Sequence, residues 1–356
     1  MPPANTPPAT PKQRPKIKAH FSHKAPDNMF VFDTRWTGPH GIGRFAREIY
    51  RRVPSFTQIA LHGNPAGALE PLRLTIYLRQ TEPDLYFSPG YNCPIGNPCP
   101  FIFCLHDLNH LHAPRASARL KQLYYFSIIL PAIRNSQAVI TVSQFSKEAI
   151  CDWAGVNESQ VINVGNGVAQ EFGPDGPAKS FGSRPYFLYV GNSKPHKNLP
   201  RIMRAFAISG LWTDFDLIAA TERTAELTAL ADSYSITRYM RFLHRVSDDD
   251  LAALYRGAQG LLFVSLYEGF GLPLLESMAC GTPVVTSSAA SMPEVAGDAA
   301  LIVDPYDVDA IADAMKKLAS DQVLRQSLRV RGLERAKKYS WDATALRVQS
   351  ILTTYG

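Results

Sequence analysis

The chain has 356 residues, of which 46% are apolar and 19% charged, and its formal net charge at pH 7 is +6. These totals are typical of a globular protein long enough for two domains, and they exclude a disordered or fibrous chain. The positive charge suits an anionic partner, such as a nucleotide diphosphate, a nucleic acid or an anionic membrane, without choosing among them.

The first 20 residues are rich in Pro and Thr and carry Lys12, Arg14, Lys16 and Lys18 without an acidic residue. Because this stretch has little to bury, it is predicted to be a disordered basic tail. The sequence shows no signal peptide and no apolar run of the about 18 residues that cross a bilayer. Its five cysteines form no C-x-x-C pair, which argues against a disulfide framework or a zinc ribbon. We therefore expect a cytoplasmic protein.

A short apolar strand at residues 28–33 is followed by a Gly-rich loop and a helical pattern at residues 44–52. Residues 41–46 match the G-x-G-x-x-A dinucleotide motif in the right context of strand, then helix. An NAD site also needs an acidic residue after the next strand, and residues 57–61 run into His-Gly-Asn-Pro instead. The missing acid argues against an NAD site.

The continuously apolar residues 101–105 predict a buried parallel strand. This strand places His106 and Asp107 at its carboxyl end, where open α/β sheets bind ligands. His110 and His112 follow closely enough to suggest a metal site. The pair at helical spacing, His106 and His110, straddles the end of the strand, which argues against such a site. A hydrogen-bonded loop histidine is the simpler alternative for His106.

Residues 115–134 combine basic side chains with the apolar runs 123–126 and 128–130. This pattern predicts either a core helix or an amphipathic surface that rests on a membrane. The apolar runs are too short to cross a bilayer.

The second half of the chain opens with a strand at residues 186–190, a loop that begins at Gly191, and a helix. A helix N-terminus presents free N–H groups and the positive end of the helix dipole, which together bind phosphate. Lys197, at the start of this helix, can add a point charge. A solvated surface lysine is the alternative.

A second strand, loop and helix runs from residues 260–264 through two glycines to Gly281. Glu268 and Glu276 bracket the predicted helix N-terminus, so that one carboxylate can lie near the reacting end of a ligand and the other near a distant hydroxyl-bearing part. A sugar joined to a nucleotide by a diphosphate is such a ligand. The alternative is that Glu268 caps the helix and Glu276 is solvated on its exposed face.

The run of residues 265–283 resembles the signature of the retaining glycosyltransferases of family 4, also called glycosyl transferases group 1. The Gly-x5-Lys-Asn loop at 191–198, the His-Asp pair at 106–107 and the Ser-Gln-Phe-Ser helix start at 143–146 occur in the family order. The resemblance covers about residues 30–356. It implies an α/β fold of the GT-B type, in which two doubly wound Rossmann-like domains face an interdomain cleft.

By this resemblance we expect four parts after the tail of residues 1–20. An acceptor-side domain spans residues 21–175, and a Gly- and Pro-rich linker follows it. A domain that binds the nucleotide sugar spans residues 183–339. The final helix, 340–356, is of a kind that often crosses back to the first domain in this fold.

The resemblance also implies roles for particular residues. It places the histidine of the His-Asp pair and the first glutamate beside the transferred sugar, the second glutamate on the ribose, and the glycine-rich loops and the lysine near the diphosphate. The predicted catalytic residues are His106 and Glu268, and the predicted substrate-binding residues are Gly41, Gly43, Asn192, Lys197, Gly269, Phe270, Gly271, Leu272 and Glu276.

The chain departs from the family pattern at two positions near the expected diphosphate. Where the family commonly has Arg-Lys, this chain has His196 and Lys197, and Asn192 stands where some members place another arginine. Because the ordinary pKa of histidine is about 6.5, the ring is mostly neutral at pH 7. His196 therefore does not fill the bidentate role of an arginine. The residue that supplies the second cation stays unassigned.

The resemblance to bacterial mannosyl- and rhamnosyl-transferases of surface-polysaccharide assembly implies a retaining, metal-independent enzyme without a cofactor. The expected donor is GDP-mannose, and the expected acceptor is a glycan or a lipid-linked saccharide. GDP-rhamnose, a UDP-hexose, a nucleotide-sugar 2-epimerase activity and a non-catalytic nucleotide-sugar or polyanion-binding protein are the alternatives. No nucleic acid partner is expected, and peripheral contact with the cytoplasmic face of an anionic inner membrane is left open.

Overall fold

A computed structural model describes residues 29–112 and 117–355, so the predicted tail at 1–20 and Arg115 lie outside the described residues. Within these residues the chain forms two sheets, each of six parallel strands. The order of the strands, by residue range, is 56–58, 30–32, 85–88, 101–104, 138–141 and 161–163 in the first sheet, and 301–303, 284–287, 260–263, 186–190, 216–220 and 240–242 in the second. The predicted alternation of strands and helices around parallel sheets is confirmed.

The strands are short and apolar, and several are buried along their whole length, as parallel strands with both faces covered should be. The first sheet contains β1 (Phe30–Phe32), β2 (Phe56–Gln58), β3 (Leu85–Ser88), β4 (Phe101–Cys104), β5 (Ala138–Thr141) and β6 (Val161–Asn163). The second contains β7 (Tyr186–Val190), β8 (Asp216–Ala220), β9 (Met240–Phe242), β10 (Gly260–Phe263), β11 (Val284–Ser287) and β12 (Leu301–Val303).

Helices cover both faces of each sheet. They are α1 (Gly41–Arg52), α2 (Glu70–Thr81), α3 (Asn109–His112), α4 (Ser117–Tyr124), α5 (Leu130–Asn135), α6 (Gln144–Ala154), α7 (Leu199–Ser209), α8 (Ala225–Ser233), α9 (Asp248–Gly257), α10 (Leu272–Ala279), α11 (Met292–Ala296), α12 (Val308–Ser320), α13 (Gln322–Ala336) and α14 (Trp341–Tyr355). A π-helical segment, Tyr125–Ile129, joins α4 to α5. Across residues 29–112 and 117–355, no helix has the length and apolar character needed to cross a membrane.

The helix starts follow from local side-chain chemistry. The predicted cap of α6 is confirmed, because the Ser143 hydroxyl accepts a hydrogen bond from the Ser146 N–H. Ser247 caps α9 in the same way, and three aspartates in the first turn of α9 complement the helix dipole. The cap of α6 follows the carboxyl end of β5 closely, whereas a short loop of residues 243–246 separates β9 from the cap of α9.

The last helix, α14, packs on α1 of the first half of the chain. Trp341 is 1% exposed, and its ring meets Phe45 edge-on with centroids 6.2 Å apart. Arg347 donates a hydrogen bond to the Val164 carbonyl oxygen at 2.9 Å. Because a buried Trp contributes a large apolar area, this helix ties the end of the chain to the first sheet.

We expect Trp341→Ala to lower the free energy of unfolding by about 3–5 kcal/mol, because it leaves a cavity between α14 and α1. Denaturant unfolding of the purified protein measures the change. Leu346→Ala on the same helix is the matched control, since Leu346 is 66% exposed and its loss should change stability by less than about 0.5 kcal/mol. Equal stabilities for the two variants would contradict the packing role of α14.

Candidate active site

The two sheets approach each other where β4 and β10 end. At Gly269, an added Cβ would lie 2.4 Å from the His106 carbonyl oxygen and 2.9 Å from the Asp107 Cβ. The Ser146 hydroxyl donates to the Gly269 carbonyl oxygen at 3.3 Å. Because only glycine fits this close contact, two predicted site residues, His106 and Gly269, are brought together from opposite halves of the chain.

Lys197 and Glu268 form the central ion pair of the second half. The Lys197 Nζ lies 2.6 Å from the Glu268 Oε1, and the two side chains are 15% and 13% exposed. The same ammonium lies 5.5 Å from the centroid of the Phe263 ring. The loop after β7 and the loop after β10, which the resemblance assigns to one diphosphate, therefore meet at this ion pair.

Backbone contacts hold this point in place. The Leu266 N–H donates to the His196 carbonyl oxygen at 2.7 Å, which joins the loop after β7 to the loop after β10. The Ser291 hydroxyl lies 2.9 Å from the Glu268 carbonyl oxygen and 3.1 Å from that of Phe270. Ser291 was missed by sequence reasoning, because no local pattern marks a hydroxyl that supports a loop more than 20 residues earlier.

A glycine precedes the first residue of α10, as the sequence predicts for a loop that leads into a helix N-terminus. Gly271 has a φ of +99°, a conformation that favours glycine, and Leu272 begins the helix directly after it. Phe270 is buried, and the centroid of its ring lies 5.6 Å from that of the Tyr339 ring. The Phe270 side chain therefore packs into the protein, and the predicted role of this position belongs to its backbone.

The two glycines of the first Gly-rich loop differ in their surroundings. An added Cβ at Gly41 would lie 3.9 Å from the Leu272 side chain, so Gly41 faces the start of α10 across the cleft. An added Cβ at Gly43 would lie 1.9 Å from the Gly38 carbonyl oxygen, so Gly43 is needed for the fold of its own loop. The His40 ring caps α1 by accepting a hydrogen bond from the Gly43 N–H.

The surroundings of His106 favour the neutral imidazole. Burial lowers the pKa of His106 to about 4. Its Nε2 lies 2.9 Å from the Pro89 carbonyl oxygen, which can only accept, so Nε2 carries the proton and donates it. The Phe45 ring packs edge-on against His106 with centroids 5.1 Å apart. A ring held in this way can orient a ligand through Nδ1 or its carbon edge, and it is not a charged acid.

Glu276 is 4% exposed, so the alternative of a solvated helix face is wrong. The Tyr255 hydroxyl donates to the Glu276 Oε2 at 3.1 Å, and the Arg44 Nε lies 3.7 Å from Oε1. Burial raises the pKa of Glu276 to about 7, and the Arg44 charge opposes that rise.

Arg44 is a site residue that sequence reasoning missed. A guanidinium nitrogen of Arg44 lies 2.6 Å from an Asp248 carboxylate oxygen, which joins α1 to α9 across the cleft. One local signal existed: an arginine in the first turn of a helix meets the positive end of the dipole and needs a compensating acid. The sequence does not say which acid supplies it.

Glu294 makes a second contact across the cleft that the sequence did not reveal. Its two carboxylate oxygens accept hydrogen bonds from the Gln144 N–H at 2.8 Å and the Phe145 N–H at 3.0 Å. These N–H groups are at the N-terminus of α6, where a negative charge is favourable. The carboxylate of α11 therefore helps to hold the two halves together.

The loop after β7 places Asn192 and His196 differently. The side chain of Asn192 is exposed, and its Oδ1 accepts a hydrogen bond from the Lys194 N–H at 3.1 Å. Burial lowers the pKa of His196 below its ordinary value, which favours the neutral ring at pH 7. Neither side chain supplies the second cation that the family pattern has here.

Around His106, Asp107 and His110, the structure forms a loop and a short helix. In the part of the chain that the structure describes, no group of three or more His, Cys, Asp or Glu side chains is arranged to hold a metal ion. Burial lowers the pKa of His110 to about 4.

Comparisons with known proteins identify the family. Residues 176–338 match the family described as glycosyl transferases group 1, and residues 24–172 match glycosyltransferase family 4. The O-antigen chain mannosyltransferase B of Escherichia coli is 30% identical over 287 residues, which cover 77% of this chain and 75% of that protein. This chain belongs to the glycosyl transferases group 1 family. It is a glycosyltransferase, and the resemblance drawn from its sequence is confirmed.

Other relatives of this glycosyltransferase differ in length. The serotype-specific mannosyltransferase WbdA of Escherichia coli is 29% identical over 232 residues, which cover 61% of this chain and 28% of WbdA. The O-antigen chain mannosyltransferase RfbU of Salmonella typhimurium is 29% identical over 218 residues, 60% of this chain and 59% of RfbU. The chain thus spans less than a third of WbdA and less than two thirds of RfbU.

Solved structures show the same fold. The sucrose-phosphate synthase of Thermosynechococcus elongatus has a TM-score of 0.74 at 17% identity, with 92% of this chain and 98% of that one covered. The glycosyltransferase WaaG, described as involved in lipopolysaccharide biosynthesis, has a TM-score of 0.70 at 14% identity, with 91% and 99% covered. The predicted GT-B fold is confirmed.

We expect Gly269→Ala to separate the two halves of the glycosyltransferase, because a backbone carbonyl lies where the new methyl group would be. Small-angle X-ray scattering should give a larger radius of gyration, and thermal unfolding should begin at a lower temperature. Gly173→Ala is the matched control, since nothing lies within 4 Å of an added Cβ there. A Gly269→Ala protein as compact as Gly173→Ala would contradict the close contact.

Proposed function

We propose that this glycosyltransferase is a retaining, metal-independent hexosyltransferase that moves mannose from GDP-mannose to a glycan or lipid-linked saccharide in polysaccharide assembly. The observation that carries the proposal is the Lys197–Glu268 pair, which lies between the carboxyl ends of β7 and β10 and the starts of α7 and α10. The mannosyltransferase names of the relatives at about 30% identity support mannose as the transferred sugar.

The ion pair suits a ligand with an anion beside a hydroxyl-bearing group. A donor diphosphate would compete with Glu268 for the Lys197 ammonium and would receive N–H groups from the start of α10. Once the diphosphate binds the Lys197 ammonium, the Glu268 carboxylate can accept hydrogen bonds from sugar hydroxyls. The two members of one salt bridge therefore bind the two parts of the donor, Lys197 the diphosphate and Glu268 the sugar.

Charge stabilisation supplies the catalytic effect in this proposal. The bond between the sugar C1 and the donor phosphate oxygen breaks, and the acceptor oxygen bonds to C1 on the same face. The acceptor proton passes to the departing phosphate oxygen. Lys197 and the helix dipole stabilise the charge that develops on the phosphate, while Glu268 and the neutral His106 orient the sugar. The close contact of the two halves at Gly269 excludes water from the activated sugar.

We expect Lys197→Ala and Glu268→Gln each to lower kcat for mannosyl transfer by about 100-fold or more while the protein stays folded. Transfer is measured as GDP release in the presence of acceptor, and folding by thermal unfolding. Lys316→Ala removes an exposed charge from α12 and should leave the rate unchanged. Rates near wild type in either site variant would remove that residue from the proposed mechanism.

Stabilisation of the folded protein by nucleotide sugars tests the identity of the donor. At a hundredfold excess over Kd, the true donor should stabilise the native protein by about 2.7 kcal/mol, with or without a chelator. Stabilisation by UDP and UDP-hexoses alone would move the donor away from GDP-mannose. Conversion of a nucleotide sugar without acceptor would indicate an epimerase, and stabilisation without turnover a binding protein.

We also propose that the region of α4 and the π-helical segment rests on an anionic membrane that presents the acceptor. Leu120, Leu123 and Phe126 are 74%, 62% and 56% exposed. Arg119 and Lys121 flank them, and the sequence carries no acidic residue from 108 to 147. Exposed apolar side chains among basic ones bind an anionic lipid surface through both the hydrophobic effect and charge.

Leu120→Asp combined with Leu123→Asp should abolish sedimentation with phosphatidylglycerol vesicles, because it places two charges in the apolar surface. Val323→Asp is the control, since Val323 is 82% exposed on α13 in the second half of the chain. Vesicle binding by the double variant equal to that of Val323→Asp would refute the membrane surface, and transfer to a soluble acceptor should stay unchanged in both.

A further inference from the structure

Arg44 is an arginine of the first half of the chain whose side chain lies among acidic groups of the second half. A guanidinium nitrogen is 2.6 Å from the Asp248 Oδ1, and its Nε is 3.7 Å from the Glu276 Oε1. The guanidinium also lies over the Phe172 ring, 5.2 Å from its centroid. With 12% of the side chain exposed, Arg44 is a buried charge fixed on three sides.

The two oxygens of the Glu276 carboxylate differ in their contacts. Tyr255 donates to Oε2, whereas the 3.7 Å from Arg44 to Oε1 is beyond hydrogen-bond range. Arg44 therefore acts on Glu276 through charge, and Oε1 can still accept a hydrogen bond from a hydroxyl group.

We propose that Arg44 is a positioning residue of the nucleotide site, which keeps the Glu276 carboxylate charged and aligned to accept hydrogen bonds from the ribose hydroxyls. The inference rests on the proposed function, in which Glu276 binds ribose. Because Arg44 belongs to α1 and Glu276 to α10, the nucleotide site is complete only when the two halves are together.

The electrostatic surroundings explain why such a residue is needed. Burial raises the pKa of Glu276 to about 7 even with Arg44 beside it, so that loss of the Arg44 charge would leave the carboxylate largely protonated under neutral conditions. Arg44 is the first of the groups that oppose this effect. The groups around Glu276 are Arg44 and Tyr255, which lower its pKa, Asp248 and Glu171, which raise it, and the Cys280 thiol one turn further along.

Ribose hydroxyls are bound by the charged carboxylate, so nucleotide affinity is full above the pKa of Glu276 and falls as the pH drops through it. Loss of the Arg44 charge raises that pKa by about one unit or more. A one-unit rise from about 7 would weaken nucleotide binding at neutral pH roughly fivefold, from the change in the charged fraction.

The experiment is isothermal titration calorimetry of the full chain with GDP, and with UDP in parallel, from mildly acidic to mildly alkaline pH. Arg44→Gln should move the midpoint of the affinity profile upward by about one pH unit. Arg44→Lys should restore the midpoint to near wild type, because it returns the charge. Arg51→Gln removes a charge from the exposed end of the same helix and should leave the midpoint unchanged.

Two further variants make the test independent of the stability of Arg44→Gln. Glu276→Gln should bind GDP weakly and without this pH dependence. Asp248→Asn removes a negative neighbour and should move the midpoint downward, opposite to Arg44→Gln. A midpoint in Arg44→Gln equal to that of Arg51→Gln, or a midpoint in Asp248→Asn that does not fall, would overturn the role of Arg44. Failure of both nucleotides to bind the wild type would instead overturn the proposed function.

Discussion

The contact between the Gly269 backbone and the His106 carbonyl group is the constraint on which the rest of the site depends. A missing side chain lets the carboxyl end of β10 approach the carboxyl end of β4. Parallel sheets expose their ligand-binding loops at this edge, so one close contact places two sets of loops face to face. The Ser146 and Ser291 hydroxyls then fix the same loop from both sides of the cleft.

Charges taken out of water are paired across this cleft or within the loops that line it. Lys197 pairs with Glu268, Arg44 with Asp248, and the Glu294 carboxylate with the N-terminus of α6. Such pairs gain little net stability, because desolvation offsets much of the attraction. Their value is specificity, since breaking one leaves a charge that a diphosphate or a hydroxyl-rich sugar can satisfy. In the proposed function, Lys197 and Glu268 are the members of these pairs that contact the donor.

The two halves differ in what they contribute. In the proposed function, the second half supplies the phosphate and sugar positions from the loops after β7 and β10. The first half supplies the neutral ring of His106, the Arg44 charge and the exposed apolar surface of α4. The final helix, α14, packs back on α1 and joins the end of the second half to the first sheet. Under this proposal, a site divided in this way would bind its donor fully only when the halves are in contact, which would couple binding to the exclusion of water.

Local pattern determined most of the secondary structure and the central motif of this protein. Continuous apolar runs such as residues 101–105 predicted the strands, Ser143 predicted the start of α6, and the spacing of Glu268 and Glu276 predicted two carboxylates near one helix start. Tertiary structure alone decided that Glu276 is buried and that Arg44 is its neighbour. The reason is distance along the chain: Arg44 and Asp248 are 204 residues apart, and no local pattern encodes which buried charges meet when two sheets close on each other.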